Sequence, residues 1–132
     1  MTIHQRHIEA IAVAVLAVNS YPLAKVMNIV PRLKTNELLT PSYVAALDIG
    51  TLTVQLFEAG YERGMLTSRI AERFNSLMSD IDKGVLDALQ DLVTRKNQNG
   101  AIQLLLTLRG VGPRVANTAW TLMVQEAHGT SE

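Results

Sequence analysis

The sequence predicts an all-α fold: a compact helical bundle of about six or seven helices that closes with two helices joined by a glycine turn. Three observations carry this expectation. Apolar residues recur three and four positions apart along the whole chain, and no stretch alternates with the period of two that a half-buried strand needs. Helix-start and helix-stop residues stand between these runs, with Pro22 and Thr40-Pro41 opening and Gly60 closing. The chain has 132 residues, 48% apolar and 18% charged, which suffices for one core and a single domain over 1–132.

The first helix runs from a cap at Thr2 to about Val18. Ile3, Ile8, Ile11, Val15 and Leu16 are joined by Ala and Val on nearly all sides, the pattern of a central, buried helix. Asn19, Ser20, Tyr21 and Pro22 end it, and Pro22 opens a second helix carrying Leu23, Val26, Met27 and Val30. That helix is expected to stop near Pro31. Thr40-Pro41 starts a short helix through Tyr43 to about Leu47. Asp48, Ile49 and Gly50 interrupt it before Thr51 to Ala59 resumes, with Gly60 as a C-terminal cap. Thr67 or Ser68 caps a helix with Ile70, Ala71, Phe74, Leu77 and Met78 on one face. Asp82 to Val93 reads as another, aligned by Val85, Leu86, Leu89 and Leu92. Asn97 to Gly100 mark a turn. The last pair is Ala101 to Leu108 and Pro113 to about Ala127, and the tail 128–132 is expected to fray.

The most specific stretch is the junction of that pair, Leu108-Arg109-Gly110-Val111-Gly112-Pro113-Arg114. Two glycines permit positive φ and close approach of the backbone to another group. Val111 between them can anchor the turn in the core. Pro113 in the first turn of a helix loses no needed N–H. The unpaired amides at that helix start make an anion site, and Arg114 adds a cation beside it. This is similar to a helix-hairpin-helix, a phosphate-binding DNA motif. Packed helices joined by Gly-x-Gly also occur in proteins that bind nothing. Charge favours the first reading: from Leu92 to Gln125 there is no Asp or Glu, while Arg95, Lys96, Arg109 and Arg114 are present. The whole chain is neutral, with 12 Lys+Arg against 12 Asp+Glu, which argues against a general polycation but not against a local patch.

With the hairpin placed, the chain resembles the endonuclease III-like, helix-hairpin-helix DNA glycosylase superfamily over about residues 8 to 125. Ile8 to Ser20 is similar to the family's buried first helix and following loop. Leu38-Leu39-Thr40-Pro41 through Leu47 resembles its Thr-Pro segment, and Leu56-Phe57-Glu58-Ala59-Gly60-Tyr61 the turn before its next helix. The resemblance implies that family's six-helix domain. It also implies DNA contact by Arg109, Gly110, Val111, Gly112, Pro113 and Arg114, with the amides of Gly110, Gly112 and Arg114 holding a phosphate. Asn19 falls where relatives place a side chain that fills the gap of a flipped base, although its residue type also suits a plain helix C-cap. The carbonyls of Leu106, Leu108 and Val111 sit where relatives bind a monovalent cation.

The departures from the family matter as much. Arg114 stands in the slot of the lysine nucleophile, and arginine stays protonated and forms no Schiff base. The catalytic aspartate loop would fall where the sequence ends; Glu132 is the nearest carboxylate by count, on a Gly-Thr-Ser tail that gives it no packing. No catalytic residue is therefore assigned. With no Cys, no iron–sulfur cluster is expected, and no cofactor beyond the cation. Where relatives place a Lys-Ala pair, this chain has Met65-Leu66. His4 and His7 are expected at the surface, and Asp80, Asp82, Asp87 and Asp91 on the solvated face of one helix.

The reading is a DNA-binding protein contacting duplex backbone, without base excision. The alternatives are a minimal monofunctional DNA glycosylase of base-excision repair, without lyase activity, and a protein-interaction module with a structural hairpin. The longest apolar run, Ala10 to Val18, is too short to span a bilayer. No export signal is recognisable, so a cytoplasmic location is expected, nucleoid-associated if the source is bacterial or archaeal.

Overall fold

The computed structural model describes residues 5–18, 21–108 and 110–129, with side chains of the last helix through Val124. Among the described residues there are eight α-helices and one 3-10 turn, and no strand. They are α1 (Gln5–Leu16), α2 (Leu23–Thr35), α3 (Pro41–Ala46), α4 (Ile49–Glu58), α5 (Thr67–Asp82), α6 (Leu89–Thr94), α7 (Gln98–Leu105) and α8 (Pro113–Gly129), with the 3-10 turn Gly64–Leu66 leading into α5.

The all-round apolar pattern of α1 makes it the central helix. Ala10 through Leu16 are all buried, and α8, α2 and α5 pack around them. Ile11 and Leu16 have no exposed surface, and each such side chain contributes about 1.5–3 kcal/mol relative to an exposed one. His7 is buried as well, against the expectation of a surface histidine, because it stands one turn before the buried Ala10 and Ile11 on the same side of α1. The second organiser is α5, against which α3 and α4 pack and which buries Ile70, Phe74, Leu77 and Met78.

Several boundaries differ from the expected ones, each for a local reason. The second helix continues through Pro31 to Thr35, since Pro31 lies on an exposed face and the fully buried Leu33 rewards another turn. The Thr67 hydroxyl does not cap α5; it accepts the Arg63 amide at 2.9 Å. The stretch from Asp82 to Val93 is not one helix. The preceding α5 runs on to Asp82, Gly84 turns the chain at φ +89°, and α6 starts at Leu89. The four aspartates therefore sit on α5, a turn and α6 rather than on one helical face. Asp48 caps α4 by accepting the Thr51 amide at 3.2 Å, and Asn97 caps α7 through the Gly100 amide at 2.9 Å. The last helix reaches Gly129, two residues into the tail expected to fray; 130–132 lie outside the described residues. No helix among the described residues is long and apolar enough to cross a membrane.

Candidate nucleic-acid interface

The junction between α7 and α8 is held from beneath. Leu105, Leu108, Val111, Val115, Ala116 and Ala119 are all buried, so the turn rests on the core through Val111, as its position between two glycines suggests. The Val111 amide returns to the Leu108 carbonyl at 3.3 Å, closing a four-residue turn with Gly110 at its third position. Gly110 has φ +81°, a conformation that costs an L side chain about 1–2 kcal/mol. Gly112 then stands just before α8, its carbonyl accepting the Ala116 amide at 2.9 Å.

The outer surface of this turn is open. Gly110, Gly112, Pro113 and Arg114 are exposed, and a β-carbon built on Gly112 would meet nothing within 4 Å. Among the described residues no backbone carbonyl accepts from the amides of Gly112 or Arg114. These donors, with the N-terminal end of α8 behind them, suit an anion. Val18, Arg73, Gly110 to Arg114 and Val115 line a shallow depression of about 440 Å³. A second one, of about 240 Å³, lies on the other side of Arg114 and Val115 and is lined by Ala14, Ala17, Val18, Tyr21, Leu23 and Thr118. Among the described residues no Asp or Glu lines either.

Arg73 is the residue that reading along the sequence missed. It belongs to α5, far from the acid-free segment, yet its side chain lies over Gly110; a β-carbon there would come within 3.3 Å of the Arg73 Cγ. Only its position one turn after Arg69, on the exposed edge of an amphipathic helix, hinted at it. Of the cations in the acid-free stretch, Arg95 is already paired with Asp91 on α6, and Lys96 is an exposed residue at φ 57°. Neither Arg73 nor Arg114 enters an ion pair among the described residues. Arg109, Asn19 and Glu132 lie outside the described residues; Val18 lines both depressions and Tyr21 the second. Of the three carbonyls expected to hold a cation, that of Leu108 already accepts the Val111 amide. No three His, Cys, Asp or Glu side chains gather to hold a metal among the described residues.

A polar cluster fixes the wall that carries Val18. The Tyr61 ring is fully buried and its hydroxyl donates to the Leu16 carbonyl at 2.5 Å. Arg63 donates to the Val18 carbonyl at 2.7 Å and stacks over the Tyr21 ring at 4.6 Å. Tyr21 meets Tyr61 edge-on at 5.3 Å. A cation thus satisfies carbonyls at the negative end of α1. Burial pushes the Tyr61 phenol above its ordinary range, against the lowering effect of Arg63.

No protein-family model, no curated protein and no solved structure matches the chain.

Proposed function

We propose that this chain is a DNA-binding domain that contacts duplex backbone phosphate through the Gly110-Val111-Gly112 hairpin, without excising a base. One observation supports this reading above the others. Arg73 and Arg114 approach the same open depression from different helices, beside amides that no backbone carbonyl accepts from and with no carboxylate in its lining among the described residues. Two cations and a helix start around one concavity favour a run of phosphodiester backbone, and phosphate contacts carry no direct base code. Binding is therefore expected to be steeply salt-dependent and nearly indifferent to sequence.

Fluorescence anisotropy with labelled intact and abasic duplexes at two salt concentrations tests this. Gly112→Glu is the decisive variant. Its side chain has open space, so the fold is retained, and the carboxylate faces the phosphate. Affinity should fall by roughly 100-fold or more, as several kcal/mol of like-charge repulsion require. Unchanged affinity would overturn the reading. Abasic product from lesion-containing duplexes would overturn its non-catalytic part.

A protein-interaction module has its own observation. Val54 and Phe57, three residues apart on α4, are each 57% exposed. That face is separate from the hairpin lining and is compatible with DNA binding.

A further inference from the structure

We infer that the exposed edge of α5 is the second half of the DNA grip, with Arg69 and Arg73 taking phosphates that follow the one held at the hairpin. The inference rests on the hairpin reading above and extends it to a helix outside the motif. Arg73 lies against Gly110 and lines the hairpin depression, so this edge adjoins the phosphate site directly. Arg69 is four residues earlier on the same face, about 6 Å along the helix axis. Both are exposed, and neither enters an ion pair among the described residues. Glu72, three residues from Arg69, forms no ion pair with it.

The direction of the ladder is fixed as well. Val18 lines the depression with Arg73, and Arg63, just before α5, binds the Val18 carbonyl. The N-terminal part of α5 therefore lies on the Val18 side of the hairpin. Arg63 is committed to that carbonyl and to the Tyr21 ring, so the ladder ends at Arg69. A strand leaving the hairpin passes Arg73 and then Arg69, giving three cations in file: Arg114, Arg73 and Arg69.

Each phosphate neutralised on duplex DNA contributes about −0.9 to the slope of log K against log salt. Three predict a slope of about −2.7 for the native chain, and Arg69→Gln with Arg73→Gln should bring it to about −0.9. Arg69→Gln with Arg73→Lys keeps the charge at 73 and most of its stem and should have a slope of about −1.8, one phosphate's worth more than the double Gln variant. Arg95→Gln, which removes a cation already paired with Asp91, should leave it unchanged. Circular dichroism on each variant checks folding. If Gly112→Glu abolishes binding while the double Gln variant keeps the native slope, the hairpin reading stands and the ladder falls. If the native chain shows no salt-dependent binding, both fall. A slope reduced equally by Arg95→Gln also overturns the ladder, because it reports general charge rather than a file of contacts.

Discussion

Two turns in this molecule use a glycine in the same left-handed conformation, and they do opposite things with their amides. Gly84, at φ +89°, stands just past α5. Its amide returns to the Ile81 carbonyl at 3.0 Å and that of Val85 to the Asp80 carbonyl at 3.2 Å. Those donors are consumed in finishing a helix. Gly110, at φ +81°, stands ahead of a helix, and among the described residues no backbone carbonyl accepts from the amides of Gly112 and Arg114 after it. The surroundings diverge in the same sense. A β-carbon at Gly84 would meet the Asp87 carboxylate at 3.0 Å; one at Gly110 would meet Arg73. A glycine turn is thus no site in itself. What separates the two is whether backbone donors remain and which charge stands over them.

The largest expected effect is the loss of DNA affinity in Gly112→Glu, which breaks the comparison on its functional side. The next sharpens it. Gly110→Ala and Gly84→Ala each force an L side chain into the left-handed region and should each cost about 1–2 kcal/mol in chemical denaturation. Only Gly110→Ala should also weaken DNA binding, because its β-carbon displaces Arg73. Equal binding by the two variants would erase the distinction.

Tyr61→Phe comes third. It removes a buried hydrogen bond to the Leu16 carbonyl and should cost about 1 kcal/mol. Its pH dependence is directional. The folded-state phenol titrates above its ordinary value of 10.0, so the native chain loses stability as pH rises past that value. The Phe variant should lose less over that alkaline window, read from Tm at two pH values. The smallest effect concerns a helix ending without glycine. Lys96 holds φ 57°, and the Asn97 amide after it returns to the Leu92 carbonyl at 2.9 Å. Lys96→Gly should stabilise by about 0.5–1 kcal/mol and leave the salt slope unchanged.

Much of the architecture was legible because it depends on neighbours in sequence. An apolar surface on every side of α1 announces a central helix, and Pro41 and Gly60 mark a start and a stop that depend on backbone chemistry alone. The hairpin was legible for the same reason. Pro31 misled because its cost depends on whether its face is wet, and the reward at Leu33 is tertiary. The break at residues 83–88 was hidden by apolar residues that keep helical spacing across it. Arg73 was invisible because its meaning comes from Gly110, 37 positions away. Local signals show where an anion could sit; only packing shows which distant side chain sits beside it.

The arginine over Gly110 also bears on how the molecule can be taken apart. The helix pair of α7 and α8 looks like a self-contained cassette. Yet α8 is covered by α1, and the depression at its start borrows Val18 from one distant segment and Arg73 from another. A peptide cut at Asn97 would carry the glycines and Arg114 but leave behind one of the two cations and the helix that covers α8. Grafted elsewhere, the cassette would keep its shape requirement and lose part of its charge. The hairpin is a property of the whole bundle, not a part that can be moved between proteins.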